Sequence, residues 1–242
     1  MSGWLGLGGR RVVVAGGSGT IGAALVDGFR QAGSAVAVID LEPADGNRFA
    51  FAADLRDPDA ARQAITGAAQ ALGGLDVFVH CVGINNRKGI EDYSTQEWDD
   101  IVGINLSSAF HTAQAALGQM REQGHGRLIF FSSVAGRSGH KQHGPYAATK
   151  GAINQLTRVI AHEYAASGIT ANAVAPGYME TALTNEYLAQ HPEKKEELVR
   201  LIPAQRFGRL QEVVDPVLFL ASDRAGFING QVLYIDGGRT VV

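Results

Sequence analysis

The sequence predicts an α/β fold: one doubly wound parallel sheet of seven strands with helices on both faces. Short β-branched or apolar runs alternate with longer segments in which apolar residues recur every three or four positions, as at Ile153, Leu156 and Ile160. The runs are apolar almost without interruption, which is typical of parallel strands buried on both faces. Because the chain has 242 residues and 45% hydrophobic content, we expect a single domain over 1–242 with one large core.

Seven runs are predicted as strands, and helical patterns separate most of them. The predicted strands are Arg11–Ala15, Ala35–Ile39, Phe49–Ala52, Val77–His80, Leu128–Ser132, Thr170–Val174 and Val232–Ile235. After the first strand, the apolar spacing predicts a helix over Ile21–Ala32 that ends at Gly33. The polar and charged segment 183–200 is interpreted either as part of a substrate lid near 182–206 or as a solvated surface helix.

Composition and charge argue against several kinds of partner. The 24 acidic and 21 basic residues give a net charge of −3, with no basic run suited to nucleic acid or an anionic membrane. The single cysteine, Cys81, excludes an internal disulfide framework, and no apolar segment approaches the ~20 residues that span a bilayer. The opening residues do not have the order of a secretory signal. We therefore expect a cytoplasmic protein with a small-molecule substrate, no nucleic-acid partner and no membrane partner.

The stretch VAGGSGTIG, residues 14–22, places Gly17, Gly19 and Gly22 in the spacing G-x-G-x-x-G. This spacing is informative where it follows a strand and opens a helix, as predicted here. Glycines let the backbone approach a pyrophosphate closely, and the free N–H groups at the helix start then meet its charge. A dinucleotide-binding turn is predicted, and a strand-to-helix turn in another kind of α/β protein is the alternative.

The second predicted strand is followed by Asp40, 18 residues after Gly22. At this position a carboxylate can accept hydrogen bonds from an adenosine ribose and would repel a 2′-phosphate. No Arg or Lys lies within the glycine-rich loop or directly after Asp40. We therefore predict that NAD is preferred over NADP as the cofactor, while a turn residue before Pro43 is the alternative interpretation of Asp40.

A candidate proton-transfer pair, Tyr146 and Lys150, lies on one face of a predicted helix because the two residues are four apart. A nearby ammonium stabilises a phenolate, so we expect it to lower the Tyr146 pKa from its ordinary value near ~10. Ser133 follows the strand run 13 residues earlier and is expected to meet Tyr146 at the C-terminal edge of the sheet, where such sheets bind ligands. Two surface side chains at helical spacing are the alternative.

With these motifs assembled, the sequence resembles the short-chain dehydrogenase/reductase family, from Arg11 to Gly238. The motifs are AGGSGTIG in the loop, Asp40, the Asp54-Leu55 pair, HCVG at 80–83, Asn105 in GINLSSAF, Ser133 in SSVAG, YAATK at 146–150 and NAVAPGYMET at 172–181. The resemblance implies a Rossmann-like fold and an NAD-dependent oxidoreductase that interconverts a secondary alcohol and a ketone.

The resemblance also implies roles for individual residues. Tyr146 would be the general acid/base, and Ser133 would orient the substrate oxygen. Lys150 would bind the nicotinamide ribose and lower the Tyr146 pKa, while Asn105 would support a water next to Lys150. Cofactor contacts are implied for Gly16, Ser18, Gly19, Thr20, Ile21, Asp40, Leu41, Asp54, Leu55, His80, Cys81, Val82, Gly83, Tyr146, Lys150, Pro176, Gly177, Met179 and Thr181.

Two departures from the family pattern are present. Thr20 stands where the family usually has glycine, which predicts a slightly altered loop. At 80–83, His-Cys-Val-Gly replaces the usual Asn-Asn-Ala-Gly, so the missing amide side chains leave the local hydrogen bonding and the cofactor contacts of His80 and Cys81 open. Cys81 is interpreted as a small buried hydrophobe rather than a nucleophile.

The residues implied for metal binding and assembly are few. No metal is implied, and His140 and His143 are interpreted as lining the substrate side or as solvated. The family forms homotetramers and homodimers, which makes the Ala-rich segments 109–117 and 152–166 candidate contacts. Tight internal packing is the alternative interpretation of both segments.

The substrate is addressed by GINNRKG, residues 83–89, where Arg87 and Lys88 are candidates for binding a carboxylate. This segment resembles the corresponding loop of sugar-acid dehydrogenases such as gluconate 5-dehydrogenase, which predicts a polyol, sugar acid or similar small polar substrate. A solvated loop is the alternative. PGYMET and the chain's last segment resemble 3-oxoacyl-carrier-protein reductases, which makes 3-oxoacyl-thioester reduction the alternative activity. A non-catalytic dinucleotide sensor or scaffold is the alternative of another class.

Overall fold

The computed structural model describes residues 3–43, 48–180 and 192–241. Seven strands form one parallel sheet in the order β3-β2-β1-β4-β5-β6-β7. The strands are β1 (Arg11–Ala15), β2 (Ala35–Asp40), β3 (Ala50–Ala52), β4 (Val77–His80), β5 (Gly126–Phe131), β6 (Ile169–Pro176) and β7 (Val232–Ile235). The predicted seven-stranded parallel sheet is confirmed, and the strand ends differ from the prediction by no more than two residues.

Helices connect most of the strands. They are α1 (Thr20–Gln31), α2 (Pro58–Leu72), α3 (Thr95–Val102), α4 (Ser108–Gln123), α5 (Gly144–Tyr164), α6 (Pro192–Arg200) and α7 (Gln211–Ala221). Local sequence explains several ends: the Asp57 carboxylate accepts hydrogen bonds from the first N–H groups of α2, and Gly73 and Gly124 stop α2 and α4 in the left-handed conformation. None of the described helices is long and apolar enough to cross a bilayer.

The strands alternate their side chains between two cores, which is why the apolar runs are nearly continuous. Val13 faces a core shared with α2, α4 and α5, whereas its neighbours Val12 and Val14 face a second core under α1 and α7. All three valines are fully buried. Helices therefore cover both faces of the sheet, as predicted for a doubly wound fold.

The strand order reverses direction between β1 and β4, which pair with each other at the centre of the sheet. In open α/β sheets, the crevice beyond the carboxyl ends of the strands at such a switch point binds ligands. The loops after β1, β4 and β5 carry the glycine-rich turn, residues 81–89 and Ser133 to this edge. The topology thus gathers the predicted functional segments at one end of the sheet.

The polar segment around 183–200 is described from residue 192 onward. Helix α6 exposes its charged side chains and turns Leu198 and Val199 toward a small apolar cluster of Ile202 and Phe207. This arrangement fits the solvated surface helix for the described part. The lid near 182–206 stays a prediction, because residues 182–191 lie outside the described ranges.

Candidate active site

The glycine-rich turn joins β1 directly to α1 and leaves no room for side chains. Gly16 has a φ of +80°, and a Cβ there would lie 2.9 Å from the carbonyl carbon of Cys81. A Cβ on Gly22 would lie 2.0 Å from the Gly16 carbonyl oxygen, so only glycine permits this tight packing of helix on turn. The sequence pattern thus corresponds to a close approach of two backbone segments.

The start of α1 provides donors for an anion. Gly19 is the N-cap and supplies no side-chain cap, and no acidic residue lies in the first turn. Ser18, Gly19 and Thr20 are exposed, and Ile21 follows in the first turn. The unpaired N–H groups and the positive end of the helix dipole fit a pyrophosphate.

A cavity of about 250 Å³ continues from the turn along the sheet edge. Among the predicted cofactor residues, it is lined by Asp40, Leu41, Asp54, Leu55 and Val82. The Asp40 carboxylate accepts hydrogen bonds from the N–H of Ser18, at 2.9 Å, and of Leu41, at 2.8 Å. Asp40 is therefore fixed where the cavity meets the glycine-rich turn.

One cation, Arg56, lines the same cavity and is already paired. Its guanidinium lies 2.6 Å from an Asp54 carboxylate oxygen and 3.5 Å from Asp100. The hydrogen bonds from Arg56 lower the pKa of Asp54. Two carboxylates thus balance the charge of Arg56.

The proposed acid/base residue and its neighbours meet at the start of α5. Ser133 caps a short 3₁₀ turn after β5, and its hydroxyl accepts a hydrogen bond from Ala135 N–H at 3.2 Å. Tyr146 and Lys150 lie on the same face of α5, with the Lys150 Nζ 5.6 Å from the centre of the Tyr146 ring. Lys150 is 4% exposed and donates to the carbonyl of Phe131 at 2.7 Å. The sequence-predicted set is therefore assembled at one place.

The electrostatics of this set differ in one respect from the prediction. Burial raises the pKa of Tyr146, while a hydrogen bond with Ser133 and the charge of Arg87 act in the opposite direction. The expected lowering by Lys150 is not observed, because burial dominates and the Lys150 ammonium is directed to the Phe131 carbonyl. Burial also lowers the pKa of Lys150 itself to about 8.

Asn105 lies in a π-helical segment, Gly103–Ser107, between α3 and α4. Its side-chain oxygen accepts from Ile84 N–H at 2.8 Å, and its amide donates to the Ile84 carbonyl at 2.9 Å and to the Thr149 hydroxyl at 3.2 Å. A Cβ on Gly83 would lie 3.3 Å from Lys150 Nζ and 3.4 Å from the Asn105 oxygen. Asn105 and Lys150 therefore flank Gly83, with Asn105 bridging the loop after β4 to α5.

His80 is turned away from the groove. It is 2% exposed, and its ring nitrogens lie 3.3 Å from the Ser108 hydroxyl and 3.2 Å from the Thr112 hydroxyl of α4. Burial lowers its pKa to about 3. The hydrogen bonding left open by the missing amides is thus supplied by this imidazole, and the side-chain contact with a cofactor implied for His80 is not supported.

Cys81 behaves as a packing residue. It packs against the core under α1 and α7, and burial raises the pKa of its thiol to about 12. A thiol with this pKa holds almost no thiolate near neutrality, which argues against a nucleophile. The interpretation as a small hydrophobe is therefore supported.

The segment after β6 holds the last predicted cofactor residues. Pro176 ends β6, and Gly177 lines a second cavity described below. Met179 is 6% exposed and is bridged to Gly208, so its side chain contributes to the core. Thr181 lies outside the described residues.

A second cavity, of about 120 Å³, opens over Ser133 and Tyr146. Its other lining residues are Asn85, Arg87, Val134, Ala135, His140, His143, Gly177 and Tyr178. These residues come from the three segments predicted as substrate walls, and none of them is acidic. The His140 and His143 rings are 5.7 Å apart, and His143 is 6.0 Å from the Tyr146 ring, so both histidines line the substrate side.

The cavity is electropositive. Burial and the charges of His143, Arg239 and Arg87 lower the pKa of His140. In the described parts of the chain, no carboxylate forms an ion pair with Arg87. Lys88 instead pairs with Glu97 at 2.5 Å, so its predicted role in binding a carboxylate is wrong.

Comparison with known proteins agrees with this geometry. A family model described as enoyl-(acyl carrier protein) reductase matches residues 15–240. Gluconate 5-dehydrogenase of Gluconobacter oxydans is 32% identical over 247 residues, covering 97% of this chain and 96% of the relative. The 3-oxoacyl-[acyl-carrier-protein] reductase FabG of Staphylococcus aureus is 38% identical over 205 residues, covering 84% and 82%.

A solved structure extends the agreement to three dimensions. A gluconate 5-dehydrogenase from Burkholderia cenocepacia, in complex with NADP and tartrate, has a TM-score of 0.91 and 34% identity. The match covers 97% of this chain and 96% of that chain. The fold, the assembled motifs and these relatives lead to one conclusion: the chain belongs to the short-chain dehydrogenase/reductase family of oxidoreductases.

Proposed function

We propose that this oxidoreductase interconverts a secondary alcohol and a ketone on a small polyhydroxy acid, with NAD as cofactor. The observation that carries the proposal is the small cavity in which Arg87, without a carboxylate partner among the described residues, faces the Ser133 and Tyr146 hydroxyls. A guanidinium matches the planar geometry of a carboxylate and can bind it through two hydrogen bonds. The cavity's size and polar walls suit a short, hydroxylated molecule.

Tyr146 performs the proton transfer in this proposal. Its hydroxyl takes the proton of the substrate alcohol during oxidation and returns it to the oxygen during reduction. Ser133 holds the same oxygen by a hydrogen bond, and the buried Lys150 ammonium offers a positive charge beside the phenolate that forms. The dinucleotide, when bound, accepts or supplies the hydride.

The dinucleotide fits the larger cavity through the chain's own donors. The N–H groups at the start of α1 would hold the pyrophosphate, and Asp40, Leu41, Asp54 and Leu55 would surround the adenosine. The preference for NAD is supported by the fixed Asp40 carboxylate and by the pairing of Arg56, which leaves that cation balanced by two carboxylates. Removing Asp40 tests this preference, since a relative of 34% identity was solved with NADP.

Reduction of a 3-oxoacyl thioester is the second candidate, favoured by the 38% identity to FabG. Such a substrate needs an apolar path for the acyl chain, whereas Arg87, His140 and His143 place charged or polar groups around the cavity. We therefore rank the polyhydroxy acid first.

The direct test is NADH formation by the purified protein with aldonic acids, polyols and 3-hydroxyacyl thioesters. The proposal expects oxidation of an aldonic acid, with an Arg87→Gln variant raising its KM about a hundredfold through loss of a charged hydrogen-bonding pair. Turnover of thioesters alone would support the second candidate. No turnover in either direction, with NAD bound, would support a non-catalytic sensor.

We also propose that the protein assembles as a homotetramer or homodimer through α4 and α5. The alanines Ala109, Ala113 and Ala116 are buried within one chain, which supports internal packing for that stripe. The side chains of Phe110 and Val159, on α4 and α5, are instead 49% and 43% exposed and offer an apolar surface for a second copy. Light scattering that shows a monomer would contradict this proposal.

A further inference from the structure

The loop between β4 and α3 directs alternate side chains to opposite sides. Asn85 and Arg87 line the cavity over Tyr146, whereas Asn86 and Lys88 turn away from it. The exposure follows the same alternation: residues 85 and 87 are exposed, and residues 86 and 88 are partly buried. Arg87 is therefore presented to the cavity by a backbone whose two neighbouring residues are held on the other side.

The group that holds both neighbours is the Glu97 carboxylate of α3. One of its oxygens accepts from the Asn86 amide at 2.9 Å and from the Lys88 ammonium at 2.5 Å. Its other oxygen accepts from the N–H and the hydroxyl of Ser94, both at 3.0 Å, which closes the capping box of α3. Both carboxylate oxygens are thus used, one for the loop and one for the helix.

Tyr93 adds a further tie to the same loop. Its hydroxyl donates to the Asn86 carbonyl and accepts from the Lys88 N–H at 3.3 Å. The backbone on either side of Arg87 is thus anchored to α3 and to the residue before its N-cap. The hydrogen bonds from Lys88 and Ser94 also hold the pKa of Glu97 at about 2, so this carboxylate stays ionised at neutral pH.

From these contacts we propose that Glu97 is a positioning residue that fixes Arg87 for the anionic group of the substrate. The inference rests on the proposed function and deepens it, since it assigns the recognition of the carboxylate to a built device. An arginine on a free loop must lose conformational freedom when it binds an anion, whereas a loop held at 86 and 88 loses less. Glu97 acts through Arg87 and does not touch the substrate.

The replacement Glu97→Gln isolates the loop contact. Gln is compatible with a capping box, but it has one acceptor oxygen and cannot serve both Ser94 and the Asn86–Lys88 pair. We expect the KM for D-gluconate to rise about tenfold, as for loss of preorganisation at one charged contact, with kcat within about twofold. The KM for D-sorbitol, which has a hydroxymethyl group in place of the carboxylate, should change less than about twofold.

Two controls separate positioning from stability. Ser94→Ala removes the cap of α3 and leaves the Lys88 contact, so it should lower thermal stability without changing the KM for D-gluconate. In an Arg87→Gln background, Glu97→Gln should have no further effect on that KM, because the residue through which it acts is gone. A full additional tenfold rise in the double variant would overturn the inference.

Hydrogen–deuterium exchange over residues 84–93 supplies a readout that does not depend on turnover. The amides of this loop should exchange faster in Glu97→Gln than in wild type or Ser94→Ala. Unchanged exchange, or a KM that rises equally for D-gluconate and D-sorbitol, would overturn the positioning role. If Arg87→Gln leaves the KM for D-gluconate unchanged, or wild type oxidises no sugar acid, the proposed function fails and the role in carboxylate binding fails with it.

Discussion

Tyr146 offers the most direct test at the residue scale, because its proposed role depends on a single oxygen atom. In Tyr146→Phe the ring remains against Lys150 and His143, but the hydroxyl that exchanges the proton is lost. We expect kcat to fall by about 10² to 10⁴, the usual contribution of a positioned acid or base, with cofactor affinity retained. Steady-state kinetics and a cofactor titration measure the two quantities.

The matched control for this change is Tyr164→Phe, at the opposite end of the same helix. It removes the same atom more than four turns away, and kcat should stay at the wild-type level. Equal losses in both variants would assign the effect to the helix rather than to the reacting hydroxyl.

His80 predicts a pH dependence of stability. Its pKa is about 3 in the folded chain and near ~6.5 when unfolded, so below pH ~6.5 the unfolded state binds a proton that the folded state excludes. Stability from this group is therefore complete above pH ~6.5 and is lost as pH falls toward 3, by about 1.4 kcal/mol per pH unit. Urea unfolding of wild type and His80→Asn from pH 7.5 to 4.5 measures the difference.

The variant's curve should be shallower than that of the wild type over this range, whatever its absolute stability at pH 7.5. Carboxylates elsewhere titrate in both proteins, so the difference between the two curves isolates His80. Parallel curves would show that the imidazole is protonated in the folded state.

At the scale of elements, the turn between β1 and α1 depends on close backbone packing at Gly22. A Cβ there would lie 2.0 Å from the Gly16 carbonyl oxygen and 2.8 Å from the Gly17 Cα, both of which are backbone atoms. Gly22→Ala should therefore move α1 away from the turn, destabilise the chain by about 1 to 3 kcal/mol and weaken cofactor binding about tenfold or more. Urea unfolding and cofactor titration check both.

Gly118 in α4 provides the contrasting helical glycine. A Cβ there meets no atom within 4 Å, so Gly118→Ala should stabilise the chain by about 1 kcal/mol through helix propensity alone. Equal effects of the two replacements would contradict the close-approach argument for Gly22.

The elements themselves were largely predictable because hydrophobic periodicity decides them. The buried runs at β1, β4 and β5 are long enough in valine, leucine and phenylalanine to indicate strands, and Gly33 follows the end of α1 as expected. The π-helical segment Gly103–Ser107 could not be predicted, since its residues carry no periodicity that distinguishes it from the α-helix that follows.

The site was predictable where a motif specifies it and less so where tertiary pairing decides. Ser133, Tyr146 and Lys150 converge as expected, because the ends of parallel strands meet at one edge. The pairing of Lys88 with Glu97 joins residues nine apart across a loop, and only the sequence Ser94-x-x-Glu97, a capping-box signature, marked Glu97 as structured. His80 was likewise ambiguous, since burial and its two hydroxyl partners are set by α4.

At the scale of the whole molecule, cofactor binding couples to folding because the dinucleotide cavity is formed by β2, the loop after β3, the loop after β4 and the segment before α4 together. A ligand that binds only the folded chain stabilises it by about 2.7 kcal/mol at a concentration of 100 Kd. For a chain of this size that corresponds to a rise in Tm of roughly 5 to 11 °C. NAD should produce this shift, and NADP at the same concentration should produce a smaller one, since Asp40 would repel the 2′-phosphate.

Asp40→Ser should reverse the order, because the serine retains a small polar group but removes the charge that disfavours NADP. Asp27→Ser, on the exposed face of α1, changes the net charge equally and should leave the wild-type order intact. Differential scanning calorimetry of the three proteins with each cofactor measures the shifts. Equal shifts by NAD and NADP in the wild type would mean that the carboxylate, held by Ser18 and Leu41, does not set the preference, and selection would then depend on parts of the chain other than Asp40.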